Sequence, residues 1–308
     1  ISRQALTTDS LELSWTASLQ EGVWDATPVV ADGTVYAGGG EGQFLAFDAT
    51  GATNCAGDPK QCLPTWTADY GGAGGFHSPP VVADGRFIFS GDDGYVRAHQ
   101  VGGGALWAGW LGDTSVSSPA VVDGIVYVGG NRRLHTFDAA GVLNCSGGAC
   151  SPLWSSEELE QPFTGTVNSP AVWNRRVYVT THTGGLHVLD AGGVEGCAGT
   201  PTTCVPLWSA PMASSYTTPA VADGKVFVAG NDGTLRVFDA NGRINCSGTP
   251  TTCSPLWSAP IGGRLWSPAV AGSCRRAGRR CSRTAGRSTR RRRPWSIRSP
   301  GPASSTPR

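Results

Sequence analysis

The chain has 308 residues, with 24 Lys and Arg against 23 Asp and Glu, 44 Gly, ten Cys and one Met. Residues 1–271 hold 12 basic and 23 acidic side chains, a net of −11, whereas residues 272–308 hold 12 Arg and no acid, a net of +12. An acidic body of this kind is a poor nucleic-acid binder, because phosphate contacts need cations, and no apolar run is long enough for a membrane-spanning helix.

The chain opens on Ile1 rather than Met, and the expectation is that a signal sequence or lipoprotein leader preceded it. Leu11 to Ala17, centred on Trp15, matches only the last strand of the repeat that follows. That repeat begins at a Ser/Thr-Pro step and recurs at Pro28, Pro79, Pro119, Pro170, Pro219 and Pro268. Each unit continues with Val-x-Asp-Gly or a close variant, a Gly-rich turn, Phe/Leu-Asp-Ala and a closing Trp. A period of roughly 40–50 residues with several short strands per unit is the signature of a β-propeller.

The unit from Pro219 shows the pattern most clearly. Pro219-Ala-Val-Ala-Asp-Gly is a first strand and its turn, Lys225-Val-Phe-Val-Ala-Gly a second strand, Thr234-Leu-Arg-Val-Phe-Asp a third and Pro255-Leu-Trp-Ser-Ala a fourth. Asp-Gly between β-rich runs marks a tight hairpin, since such turns need positive φ. The fourth unit departs from this rule, with Asn174-Arg175 at the first turn. No stretch has a helical period. The expected fold is all-β, a propeller of four-stranded antiparallel blades, with five full blades and a partial sixth from Pro268.

The aromatic that closes each unit falls at Trp15, Trp66, Trp107, Trp154, Trp208 and Trp257. One large ring at a fixed place on the fourth strand is expected to fill the space between neighbouring blades. The repeated carboxylates Asp48, Asp138, Asp190 and Asp239 are expected to hydrogen-bond their own turns. His99, His135 and His187 lie on third strands, in positions read as equivalent, which assigns them surface or packing roles. Asn144-Cys-Ser and Asn245-Cys-Ser fit the glycosylation acceptor pattern.

Between strands three and four lie the pairs Cys55/Cys62, Cys145/Cys150, Cys197/Cys204 and Cys246/Cys253. The unit from Pro79 lacks a pair and is also the shortest. The extra length elsewhere is therefore a loop clipped shut by a disulfide, which implies an oxidising compartment. Zinc is disfavoured, because the pairs sit on separate blades and do not converge. No metal site is expected.

After Ala271 the repeat demands an Asp-Gly turn and a Val/Tyr strand. The chain gives Gly272-Ser-Cys-Arg-Arg-Ala-Gly-Arg-Arg-Cys281 and then Arg290-Arg-Arg-Arg-Pro-Trp. Residues 272–308 read as a disordered tail or as the product of a shifted reading frame, so Cys274 and Cys281 carry no inference.

The residues just before each first strand vary within the constant repeat, as binding residues do. Trp24, Phe76, His77, Asn168, Tyr216 and Trp266 are the candidate ligand contacts at the channel rim. No carboxylate breaks the repeat as a catalytic base should, so no catalytic residue is assigned.

Stretches such as Ala46-Phe-Asp48-Ala-Thr-Gly51 to Trp66 and Phe238-Asp239-Ala-Asn-Gly242 to Trp257 resemble the pyrroloquinoline-quinone-type propeller repeat over residues 11–271. The resemblance implies one of two branches. The quinoprotein dehydrogenases bind the quinone and Ca²⁺ on the channel axis, commonly against a Cys-Cys disulfide that this chain lacks. The non-catalytic propellers, which include a lipoprotein of the outer-membrane assembly machinery, are interaction scaffolds without a cofactor. The second branch is the closer match. The expected function is an exported binding scaffold in the periplasm or at the cell surface, with a protein partner or envelope component and no cofactor. The alternatives are a fragment of a dehydrogenase using pyrroloquinoline quinone and calcium, and a propeller binding cell-surface polysaccharide through its rim aromatics.

Overall fold

The computed structural model describes residues 13–19, 27–38, 43–69, 79–91, 93–112, 115, 117–130, 132–159 and 167–261. All belong to the compact unit Ile1–Ser267; the second unit, Pro268–Arg308, lies outside the described residues. With it go the sixth blade and the Arg-rich tail expected from sequence.

Every described element is a strand or a turn. Five antiparallel four-stranded blades span residues 29–69, 81–110, 120–156, 171–211 and 220–260, here blades I to V. Blade V shows the plan. Ala220–Ala222 pairs with Lys225–Gly230, which pairs with Thr234–Asp239, which pairs with Trp257–Pro260. The first turn takes positive φ at both central residues, +49° at Asp223 and +69° at Gly224, the mirror-image geometry that matches strand twist. The first strands of consecutive blades are neighbours, from I through V.

The second and third strands form the core of each blade. Phe87, Ile88, Phe89, Val96 and Ala98 of blade II are fully buried, as are Val226, Val228, Val237 and Phe238 of blade V. Apolar clusters cross each seam, so a blade buries its faces only against its neighbours, as a repeat architecture requires.

The four expected disulfides are present: Cys55–Cys62, Cys145–Cys150, Cys197–Cys204 and Cys246–Cys253. Each closes a hairpin of two-residue strands, and that hairpin is more than a loop clip. Its second strand pairs in parallel with the outermost strand of the preceding blade: Ala149–Cys150 on blade II, Thr203–Cys204 on blade III and Thr252–Cys253 on blade IV. Gln61–Cys62 pairs in the same way with the N-terminal strand Thr16–Ala17. The hairpins are straps that cover otherwise open edge strands. Blade II has none, because its third and fourth strands join through the short turn at 101–104.

The closing tryptophans follow the straps. The indole of Trp107 lies on the glycine turn of blade III, where a Cβ on Gly141 would stand 2.3 Å from its Cδ1. Trp15 meets Gly51 in this way, Trp154 meets Gly193 and Trp208 meets Gly242. Two others make no such glycine contact, although Trp66 still packs across its seam. Trp66 faces the strapless blade II and sits edge-on to Phe87, with centroids 6.3 Å apart. Trp257 closes blade V and is 45% exposed, against 3% for Trp208, because no described residue supplies the next glycine turn.

Candidate functional site

Antiparallel connectivity divides the turns between two faces. The turns joining second to third strands share a face with the segments leading into each first strand. The first hairpin turns and the straps share the opposite face. The sequence placed its candidate contacts on the former.

Of those candidates, Trp24, Phe76, His77 and Trp266 lie outside the described residues. Asn168 is buried at 6% exposure, and its Nδ2 donates to Thr180 Oγ1 at 2.9 Å and to the Ser215 carbonyl at 2.7 Å. It belongs to a layer of small polar side chains that ties each blade to the segment entering the next. Thr180 Oγ1 donates to the Thr217 carbonyl at 2.6 Å, and Ser215 Oγ to the Ala229 carbonyl at 2.9 Å. Two seams earlier, between blades II and III, Ser90 Oγ donates to the Ser117 carbonyl and Ser115 Oγ to the Gly129 carbonyl. With its amide hydrogens committed, Asn168 is a joint rather than the ligand contact expected from sequence.

Tyr216 is different. It is 58% exposed, and its ring lies against His182, centroids 4.2 Å apart, with its hydroxyl at hydrogen-bond contact with His182 Nε2. His182 sits in the turn between the second and third strands of blade IV, where blade V has Asn231. The sequence reading passed over His182, although it too breaks the repeat. Tyr216 and His182 form an exposed aromatic pair on the face of the first-strand entries.

The repeated carboxylates hold their own turns. Asp138 accepts backbone N–H groups from Ala140, Val142 and Leu143, and Asp239 from Asn241, Arg243 and Ile244. Burial raises the Asp138 pKa, but the donated N–H groups outweigh it and hold the carboxyl below the usual range. The amide of Thr50, followed by its hydroxyl and Thr53, does the same for Asp48.

The histidines divide two and one. His135 and His187 occupy equivalent places, each pairing its Nδ1 with a fourth-strand hydroxyl at 2.9 Å, Ser155 or Ser209. Burial lowers both to about 4, with Arg133 adding to the effect at His135. His99 is not their equivalent, as sequence had it; it sits two residues further along, where blade III has Phe137 and blade V Phe238. A repeated, neutral His–Ser pair is packing, not a catalytic dyad. Asn144 and Asn245 donate Nδ2 to the carbonyls of Pro152 and Pro255. Asn54, outside any acceptor pattern, does the same to Pro64. The amide that glycosylation would need therefore fixes the strap instead.

A calcium–quinone site requires several converging oxygen ligands. Among the described residues no group of three or more His, Cys, Asp or Glu is placed to hold a metal, and the described axial hydroxyls are hydrogen-bonded to backbone. Among the described residues no helix is long and apolar enough to cross a membrane, which says nothing of a β-barrel.

The sequence profile of the family described as outer membrane protein assembly factor BamB matches residues 4–144, 56–195 and 147–284. No curated protein matches the chain. BamB from Moraxella catarrhalis superposes with a TM-score of 0.55 at 18% identity, over 80% of this chain and 64% of that one. Quinohemoprotein alcohol dehydrogenase from Comamonas testosteroni gives 0.55 at 18% identity, over 74% of this chain and 43% of that one. The computationally designed Ika8 protein gives 0.54 at 16%, over 78% and 62%. The chain spans less than two thirds of each, and at such identity they establish the fold alone.

Proposed function

The chain belongs to the family of outer membrane protein assembly factor BamB, and from that premise we propose that it is a non-catalytic propeller that binds a protein partner outside the cytoplasm. The observation that carries this reading is the commitment of the repeat's polar groups. The carboxylates that recur in every clipped blade hold their own turns, and the buried His135 and His187 pair with serines, so neither repeated group is available as a general base. The exposed pair Tyr216–His182 provides the recognition surface, since aromatic side chains with a polar end are favoured in interfaces. Four disulfides support an oxidising compartment.

Two experiments with the full chain test the proposal. Reconstitution with pyrroloquinoline quinone and Ca²⁺ is expected to give no dye reduction with alcohols or sugars; turnover would overturn the non-catalytic reading. Capture from envelope extracts is expected to retain a protein that Tyr216→Ala with His182→Ala releases. Equal retention by the variant would remove that surface from the proposal.

A further inference from the structure

The first hairpin turn is Asp-Gly in four blades: Asp32-Gly33, Asp84-Gly85, Asp123-Gly124 and Asp223-Gly224. Blade IV replaces both residues, with Asn174 at φ +47° and Arg175 at φ +59°. The second position suits glycine, because a Cβ in the left-handed region is strained. Packing does not account for the arginine: a Cβ built on Gly33, Gly85, Gly124 or Gly224 meets nothing within 4 Å. The paired change removes a carboxylate and adds a guanidinium at one point of an acidic body.

Two more arginines stand at the same seam. Arg176 follows directly, and Arg243 lies on the glycine turn of blade V, where blades III and IV carry Val142 and Val194. With Asn174 and Asn241 they line a cleft of about 360 Å³. The corresponding seam between blades III and IV presents Gly124, Ile125 and Val194 and no cation.

Two carboxylates, Asp190 and Glu195, also line the cleft, so three guanidiniums face two negative charges and leave a formal excess of one positive charge. Asp190 Oδ2 accepts the backbone N–H groups of Val194 and Glu195. Glu195 lies 3.1 Å from Arg176 Nη1, yet that buried nitrogen has no aligned hydrogen bond. Arg175 makes no side-chain hydrogen bond or ion pair among the described residues.

The geometry points to an oxyanion-binding site between blades IV and V, in which Arg175, Arg176 and Arg243 hold the carboxylate or phosphate of a small ligand and Asn174 and Asn241 donate alongside. Guanidinium forks match the planar carboxylate and the phosphate edge. The site lies on the strap face, opposite Tyr216 and His182, and does not depend on the protein-binding reading.

The test is calorimetric titration of the full chain with inorganic phosphate and, separately, with glucuronate, at ionic strength held constant with chloride. Saturable binding of one or both is expected, and the stronger probe identifies the source of the oxyanion. Arg175→Gly restores the residue of the other four blades and so should fold; it is expected to weaken binding at least tenfold. Arg243→Val, the residue of blades III and IV, is expected to do likewise. The proposal is overturned if neither probe binds beyond the chloride control, or if Arg175→Gly binds as tightly as the parent chain.

Discussion

Tyr127 stands edge-on to Trp154, ring centroids 6.4 Å apart, and takes the carbonyl that the indole would otherwise use. Its hydroxyl donates to Ala191 O at 2.9 Å, and Trp154 Nε1 is left buried without a partner. The next seam repeats this, with Tyr178 on Ala240 O at 3.1 Å and Trp208 Nε1 unpaired. Between blades II and III the tyrosine position is Ile88, and there Trp107 Nε1 donates to Ala139 O at 3.1 Å. One carbonyl per seam serves whichever ring reaches it.

Tyr127→Phe is therefore expected to be mild. Trp154 Nε1 inherits the Ala191 carbonyl, so one hydrogen bond replaces another and the loss stays below about 1 kcal/mol. The urea midpoint measures it, and a loss above about 2 kcal/mol would rule out the exchange.

Gly141→Ala should be severe. Its Cβ would collide with Trp107 at 2.3 Å, and Gly141 already has φ +70°, so overpacking adds to backbone strain, together about 2–4 kcal/mol. Gly124→Ala is the control: φ is +75° but nothing lies within 4 Å, which leaves strain alone, about 1 kcal/mol. Equal losses at the two positions would remove the docking from the account.

Replacing Cys145 and Cys150 by serine should loosen a blade to which neither residue belongs. The strap holds blade II through Ala108 N donating to Gly148 O at 2.8 Å. Hydrogen exchange at Ala108 is expected to quicken, and stability to fall by at most about 2–3 kcal/mol, as befits a short loop. Unchanged protection at Ala108 would show that the edge holds without the strap.

Acid should weaken the fold in two separate windows. His135 and His187 are depressed to about 4 from a free value of 6.5, so the unfolded chain binds more protons between those values. Their contribution is complete above pH 6.5 and is lost as the pH falls toward 4, by up to about 3 kcal/mol for each ring. The depressed carboxyls of Asp48 and Asp138 add a further loss only below about pH 4. Urea midpoints at pH 7.5 and 5 measure the first window. The double variant His135→Gln, His187→Gln should flatten it; an unchanged slope would assign the acid sensitivity to other groups.

Some of this could be read from the chain alone. The Asp-Gly pairs fixed the hairpins, because few residues tolerate two consecutive positive φ angles, and the recurrence of Pro, Asp and Trp set the blade plan. The cysteine spacings gave the disulfide pairing, because each pair brackets one short insertion. Local chemistry settled these features, so a local reading found them.

What lies between blades needed the tertiary structure. Nothing at Cys150 signals that its strand lines up with Ala108, since parallel pairing over some forty residues leaves no period in the sequence. Trp208 and Trp257 sit in the same Leu-Trp-Ser-Ala-Pro segment, yet one is buried and the other exposed, because burial depends on a neighbour and not on the residue. Asn168 varies from blade to blade as a rim contact would, but its amide hydrogens go to Thr180 and Ser215, partners that only the stacked blades bring to it. Arg175 was visible as a departure from Asp-Gly, but the seam that brings Arg243 beside it is made only by stacking blade IV on blade V.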